Sequence, residues 1–137
     1  MGLILDSSVL IAQERRGKNA RQALSEIALL AAGEDVALSV ITLAELAQGA
    51  VRANTPERAA ARSQFLAELM VAIPVHAVSI PIALRAGKID GENTAQGIRV
   101  ALSDLLIGST ALELGYRVVP ANVRHFQMIP GLGILTA

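Results

Sequence analysis

The pattern of apolar and polar positions changes first at residues 3–11, LILDSSVLI. An apolar run with the composition of a buried strand reaches Asp6, passes two serines, and resumes with helical spacing. Open parallel sheets bind ligands outside the carboxyl ends of their strands, so Asp6 lies where a ligand site is favoured. The alternative is that Asp6, Ser7 or Ser8 only caps the following helix, because a short oxygen side chain accepts from free backbone N–H groups there.

The rest of the first forty residues predicts the beginning of a parallel sheet. A short helix is predicted over 8–15 and a second over 20–32, where apolar side chains recur at helical spacing before Gly33. A short buried strand follows over 36–40. A strand, two helices and another strand in this order indicate parallel strands joined by right-handed crossovers.

The remaining pattern predicts further helices and three further strands. The helices over 41–53 and 56–72 are expected to form a hairpin that stands off the sheet, with Thr55 as the cap and Pro56 in the first turn. The later predicted elements are a short strand within 73–78, a helix over 79–91, a loop over 91–97, a helix from Ser103 to Gly115, a strand over 116–119 and an edge strand over 134–136. We therefore expect one α/β domain over 1–137, with a central parallel sheet of about five short strands flanked by helices.

Composition excludes several functional classes. The chain has no cysteine, which removes disulfides, thiolate nucleophiles and cysteine zinc sites. Its apolar fraction is 53%, yet no stretch has the roughly 18 uninterrupted apolar residues of a membrane span, and no basic region opens a signal peptide, so we expect a cytoplasmic protein. Net charge is zero, which gives no general sign of nucleic-acid binding. A chain this apolar is expected to bury surface against a partner or a second copy, as in a homodimer.

Four polar residues follow predicted strands or begin the next helix: Asp6, Glu45, Asp104 and Asn122. At one edge of a parallel sheet they can converge, and a divalent cation would then offset the repulsion between their carboxylates. Oxygen donors suit Mg²⁺ or Mn²⁺ better than zinc, and such ions serve phosphate ester hydrolysis. Each residue also has an ordinary structural role open to it: Glu45 as a solvated helix residue, Asp104 as a helix-dipole acid, and Asn122 as a turn former.

Four stretches carry a resemblance to a known family: ILDSSVLIA, SVITLAELAQGA, SDLLIGSTALELG and VVPANVRHFQMIPGL. In sequence and spacing, over essentially the whole chain, they resemble PIN-domain ribonucleases of the VapC toxin type. The resemblance implies a small α/β fold with an acidic pocket for Mg²⁺ or Mn²⁺. It also implies endonucleolytic hydrolysis of RNA by a metal-activated water, held in check by a cognate VapB-type antitoxin.

Carried over by position, the resemblance assigns the three acids to Asp6, Glu45 in TLAEL and Asp104 in SDLLIG, and the fourth site position to Asn122 in ANVRHF. Asp6 and Asp104 are expected to hold the metal. Glu45 is expected to orient or deprotonate the attacking water, and Asn122 to bind that water or a phosphate oxygen.

Two further positions of the family pattern concern hydroxyl groups. Ser7 and Ser8 match the residues that support the first acid. Pro120 stands where the family commonly has a threonine, so one supporting hydroxyl is missing. Because the fourth site residue is the neutral Asn122, the pocket has three carboxylates, which suggests weaker retention of a second metal ion.

The substrate is expected to be a structured RNA bound through its phosphates. The chain has three aromatic residues, Phe65, Phe126 and Tyr116, which is too few for a base-stacking platform.

Three rival functions remain at this stage. A haloacid-dehalogenase-like phosphatase would need a second aspartate where Ser8 stands. A non-catalytic PIN scaffold that binds a protein or nucleic acid, and a housekeeping RNA-processing nuclease, would share the fold.

Overall fold

The computed structural model describes residues 1–136 as a parallel β-sheet flanked by helices. In chain order the elements are β1 (Gly2–Leu5), α1 (Ser7–Arg15), α2 (Ala20–Ala31), β2 (Asp35–Ser39), α3 (Val40–Val51), α4 (Pro56–Ala72), β3 (Val75–His76), α5 (Ile80–Ala95), α6 (Leu102–Leu114), β4 (Arg117–Val119) and a 3-10 helix (Val123–His125). The sheet order is β3-β2-β1-β4, with every pair parallel. The α/β architecture predicted from the sequence is confirmed.

The two faces of β1 divide the core. Leu3 and Leu5 pack into a cluster with α1, α2, α3 and α4, whereas Ile4 packs on the opposite face with α5 and α6. All three side chains are fully buried, as the alternation of a strand covered on both faces requires. Because the strands are parallel, β1, β2 and β4 all end at the same edge of the sheet.

The predicted helical hairpin is formed by α3 and α4. Thr55 Oγ1 accepts from the Arg58 N–H at 3.1 Å, and Pro56 occupies the first turn of α4, so both start signals are used. Phe65 and Leu69 on α4 are buried in the cluster with α1 and α2. The hairpin is therefore anchored to the body of the domain through α4.

Two sequence predictions are corrected by the structure. The loop predicted over 91–97 is wrong, because α5 continues to Ala95 and turns at Gly97, whose φ is +76°. Asn93 explains the longer helix: its side chain is buried and donates to the Met128 carbonyl at 3.2 Å.

The second correction concerns the edge strand predicted over 134–136. The sheet has four strands, and this segment adds a single bridge, between Ile134 and Val118. Val118 N–H donates to the Gly133 carbonyl at 3.0 Å and Leu135 N–H donates to the Val118 carbonyl at 2.9 Å. These two hydrogen bonds form the bridge, and the pairing is limited to this one residue pair. Within residues 1–136, no helix combines the length and apolar character needed to cross a bilayer.

Candidate active site

Asp6 lies at the carboxyl end of β1, at the centre of the sheet. Its backbone N–H donates to the Val119 carbonyl at 3.1 Å, which fixes it beside the end of β4. The residue is 4% exposed, and its Oδ2 accepts from the N–H of Ser8 at 3.3 Å and from the Ser8 hydroxyl. Asp6 therefore caps α1, as the capping alternative predicted, and its hydrogen bonds within residues 1–136 use one carboxylate oxygen. The second oxygen is left as a potential ligand.

Glu45 is brought beside Asp6 by the first turn of α3. The Thr42 hydroxyl, fully buried, donates to the Leu5 carbonyl at 3.3 Å and so joins α3 to the end of β1. One turn later, Glu45 Oε1 accepts from the Ser7 hydroxyl at 3.0 Å. Ser7 thus supports the second acid, whereas Ser8 supports Asp6. This division differs from the expectation that both serines support the first acid.

Asp104 enters from the first turn of α6, whose start also faces this edge. It is 8% exposed, and its Oδ2 lies 3.4 Å from Nδ1 of His125. The start of a helix is favourable for a negative charge, so the dipole of α6 contributes to holding this carboxylate in its ionised form. We call Asp6, Glu45 and Asp104 the acidic edge.

Asn122 lies at the rim of this edge and is exposed. Its Oδ1 accepts from the Arg124 N–H at 3.1 Å and caps the 3-10 helix, which is the turn-forming role that the sequence left open. Its Nδ2 lies 3.3 Å from Nε2 of His125. With the proton on Nδ1, facing Asp104, the imidazole accepts from Asn122 through Nε2, so His125 connects the two predicted site residues.

His125 was not predicted as a site residue. It stands three positions after Asn122 in ANVRHF, and one turn of 3-10 helix brings these two side chains onto the same side. A polar side chain at this spacing was the available signal, but its contact with Asp104 crosses more than twenty positions of sequence. That contact could be seen only in the folded chain.

The three carboxylates interact electrostatically. Burial raises the pKa of Glu45 above its ordinary value of 4.5, and the charges of Asp6 and Asp104 raise it further, against the hydrogen bond from Ser7 and the charge of His125. Burial likewise raises the pKa of Asp104 above 3.8, with Asp6 adding to the rise and His125 opposing it. The acids therefore lie close enough to disfavour one another's charge.

This donor set suits a hard divalent cation in its chemistry. Asp6, Glu45 and Asp104 offer carboxylate oxygens, and a bound cation would remove the repulsion that raises two of their pKa values. Within the part of the chain that the structure describes, no three acidic or histidine side chains already stand at metal-holding distance. The side chains would therefore have to draw together around an ion, or bind it partly through water.

Comparison with known proteins gives consistent matches. A family model described as the PIN domain matches residues 3–131. Ribonuclease VapC1 of Rickettsia felis is 30% identical over 136 residues, which cover 99% of this chain and 96% of that protein. The tRNA(fMet)-specific endonuclease VapC of Salmonella typhimurium is 35% identical over 98 residues, 71% of each chain. A chain in the crystal structure of DNA-bound VapBC from Salmonella typhimurium is 28% identical, with a TM-score of 0.78 over 99% of this chain and 98% of that one.

Proposed function

Because this chain belongs to the PIN-domain family, and within it to the VapC ribonucleases, we propose that its acidic edge is the active site of an endoribonuclease. The fold expected from the sequence resemblance is confirmed by the same matches. The protein is a ribonuclease toxin of a toxin–antitoxin system. The observation that best supports the location of the site is that two buried carboxylates, Asp6 after β1 and Asp104 on α6, interact at one sheet edge with the half-buried Glu45 of α3.

We propose that the acidic edge holds a divalent metal, Mg²⁺ or Mn²⁺, through Asp6 and Asp104. These two residues are the most deeply buried of the three acids, and each has a polar neighbour: the Ser8 hydroxyl donates to Asp6, and Nδ1 of His125 lies 3.4 Å from Asp104. When bound, such an ion supplies charge neutralisation and Lewis acidity toward a phosphate oxygen and a water molecule.

Glu45 is placed to act as the general base. Ser7 holds Oε1, so Oε2 is left to accept a proton from the water that attacks phosphorus. Burial, the largest cause of its raised pKa, makes this carboxylate a stronger base than an exposed glutamate. Attack forms the new P–O bond, and the bond to the leaving ribose oxygen breaks.

At the rim of the acidic edge, Asn122 is proposed to bind substrate, and His125 contacts it. The Asn122 Nδ2 group has two N–H donors, so while one faces His125 and Oδ1 keeps the 3-10 helix capped, the other can donate to a phosphate oxygen or to the attacking water. His125 orients both Asn122 and Asp104, so we propose it as a positioning residue.

The protein's partner is a VapB-type antitoxin, as in the VapBC complex that it resembles. We propose that the toxin acts in the cytoplasm, where its RNA substrate is found, and that it forms a homodimer. Exposed apolar side chains on α5, Ile80 and Leu84, are 76% and 70% exposed, and they provide a surface for the second copy.

Purified protein should cleave bulk tRNA into discrete fragments with millimolar Mg²⁺, and chelation should stop the reaction. One matched relative is a tRNA-specific endonuclease, so tRNA is the first substrate to test. Asp6→Asn keeps the side-chain shape and removes one charge, so cleavage should fall by about a hundredfold or more. Asp35→Asn, at the opposite edge of the sheet, is the matched control and should cleave normally. Full activity in Asp6→Asn would reject this active site, and a wild-type protein that binds RNA without cleaving it would indicate a non-catalytic PIN scaffold.

A further inference from the structure

A second charged feature lies at the far ends of α1 and α3, away from the acidic edge. It is an open cavity of about 800 Å³ between these helices and the first half of α4. We call it the arginine cavity, and its charged lining consists of Arg15, Arg52, Arg58, Arg62 and the single carboxylate Glu14. In a chain of zero net charge, this concentration of like charge is a local excess.

The cavity's carboxylate is already engaged. Glu14 Oε1 accepts from Nε of Arg62 at 2.6 Å, and both side chains are mostly buried. Arg58 donates to the Asn54 side-chain oxygen at 3.2 Å, and within residues 1–136 Arg15, Arg52 and Arg58 form no ion pair. Three guanidinium groups of the described chain therefore line an open space without a carboxylate to neutralise them.

Several basic residues elsewhere in the fold are paired with acids. The ion pairs outside the cavity join Lys18 to Glu26, Arg85 to Glu113 at 2.8 Å, Lys88 to Glu92 at 4.0 Å and Arg117 to Glu34 at 2.7 Å. Within residues 1–136, Arg16, Arg21, Arg99 and Arg124 are also in no ion pair, so the arginine cavity differs in that three unpaired arginines line one open space. Such an arrangement favours an anionic ligand.

Helix dipoles favour a positive charge at two of these three arginine positions but not at the third. Arg15 and Arg52 lie at the carboxyl ends of α1 and α3, where a positive charge is favourable. Arg58 lies in the first turn of α4, where a positive charge is unfavourable, and the acid of that turn, Glu57, does not line the cavity. A bound anion would be attracted by Arg58 and by the start of α4 together.

Gly49 makes room for the buried arginine. A Cβ at this position would lie 2.3 Å from Nη1 of Arg62, so the guanidinium occupies the space that a side chain would fill. Glycine within a helix costs about 1 kcal/mol relative to alanine, and α3 carries that cost here. Gly49 therefore leaves the space in which the Arg62 guanidinium lies.

The cavity continues the helix face that carries the proposed general base. Glu45, Gly49 and Arg52 are spaced i, i+4 and i+7, so they share one face of α3. Seven residues of helix span about 10 Å, roughly the rise of three stacked nucleotides in one strand. A strand bound at the acidic edge and running along α3 would bring its phosphates to the arginines.

We propose that the arginine cavity binds the phosphates of the RNA substrate, roughly three nucleotides from the cleaved bond. This inference rests on the proposed ribonuclease function and adds a substrate site to it. Arginine forks match phosphate oxygens bidentately, and both phenylalanines are buried in the core, so phosphate contacts have to supply affinity that base stacking does not. An acidic protein segment is the competing ligand, and the experiment separates the two.

The test compares Arg52→Ala/Arg58→Ala with Arg85→Ala/Lys88→Ala, which removes the same charge from α5. With tRNA, the cavity variant should raise KM about tenfold and leave kcat unchanged. With a dinucleotide, which cannot extend three nucleotides from the cleaved bond to the cavity, its KM should equal that of wild type. For this variant, the slope of log binding constant against log salt concentration should also become less negative by about 0.7 for each phosphate that the cavity no longer neutralises. The α5 variant should match wild type in all three measurements.

Gly49→Ala provides a second variant that keeps every charge. Alanine at position 49 would displace the Arg62 guanidinium, so tRNA binding should weaken about threefold. Equal KM and equal salt dependence in the cavity and α5 variants would overturn the proposal, even if the cavity variant bound its antitoxin less tightly. These comparisons require that wild type cleaves RNA. If it does not, the proposed function fails, whereas direct tRNA binding in chelator still tests the cavity.

Discussion

The acidic edge and the arginine cavity lie at opposite ends of the same two helices, α1 and α3, and they are built differently. The acidic edge gathers Asp6, Glu45 and Asp104 from three separate elements and fixes them with hydroxyl and imidazole neighbours. The arginine cavity uses long side chains from the end of α1 and from the α3–α4 hairpin, most of them exposed to solvent. The acids are short side chains that are buried or half-buried, whereas Arg15, Arg52 and Arg58 are long side chains exposed to solvent.

This difference predicts that the acidic edge lowers the stability of the folded state and that the arginine cavity does not. Burial and mutual repulsion raise the pKa values of Glu45 and Asp104, so holding both as carboxylates at neutral pH opposes folding unless a cation is present. The arginines are exposed or paired, so their repulsion is screened by water and salt. Variants of the acidic edge should change catalysis and stability together, whereas variants of the arginine cavity should change RNA affinity alone.

The largest expected effect is that of Asp104→Asn. Removing a metal-holding carboxylate should lower tRNA cleavage by about a hundredfold or more. The same change removes a buried, repelled charge, so in chelator at neutral pH the melting temperature should rise by about 2 to 5 °C. Cleavage assays and thermal unfolding monitored by circular dichroism measure the two effects. Asp35→Asn is the control and should change neither, and a normal cleavage rate in Asp104→Asn would contradict the assignment.

The second prediction is that divalent metal raises the melting temperature through the acidic edge and not through the arginine cavity. Millimolar Mg²⁺ or Mn²⁺ binds the folded acidic edge and not the unfolded chain, so it should raise the wild-type melting temperature by several degrees, about 3 to 8 °C. Asp104→Asn should lose most of this shift, and Arg52→Ala/Arg58→Ala should keep it. Differential scanning fluorimetry with and without chelator measures the shifts. An equal shift in wild type and Asp104→Asn would place the metal elsewhere.

Local signals in the sequence determined most of the fold. Thr55 and Pro56 mark the start of α4, and its predicted bounds, 56–72, agree with the structure. The loop predicted over 91–97 failed because the polar run there looks like a helix end, whereas the contact of Asn93 with Met128, 35 residues later, keeps it helical. The local sequence pattern missed this helix end because the end depends on a partner that is distant in the chain.

The candidate site shows the same limit. The positions of Asp6 and Asp104 beside strand and helix ends could be predicted, because the carboxyl ends of parallel strands meet at one edge. Whether Glu45 was solvated could not be decided from sequence, since the answer depends on its hydrogen bond to Ser7, 38 residues earlier. The roles assigned to these residues stay predictions until the variants are measured.

Stability should also depend on pH in a direction set by the acidic edge. Glu45 and Asp104 bind protons more tightly in the folded than in the unfolded state, so their contribution to the free energy of unfolding falls as pH rises above about 4 through their raised folded pKa values. Glu26, whose pKa is lowered by the hydrogen bond from Lys18, acts in the opposite direction. Urea unfolding in chelator should be compared between wild type and Glu45→Gln/Asp104→Asn, because the difference cancels Glu26. Wild type should lose stability relative to the variant as pH rises, and a difference independent of pH would contradict this account.

The smallest effect expected is that of Ser7→Ala, which leaves all three acids in place. Loss of the hydroxyl removes the bond that lowers the pKa of Glu45, so the acid limb of the pH profile of kcat should move to higher pH, with kcat at neutral pH falling about fivefold. A purely structural role for Ser7 would lower activity equally at every pH and would not move that limb. Ser63→Ala, at an exposed position on α4, is the matched control. Because the arginine cavity is untouched, KM for tRNA should stay at its wild-type value. A rise in KM without a pH shift would mean that Ser7 contacts RNA instead of supporting the general base.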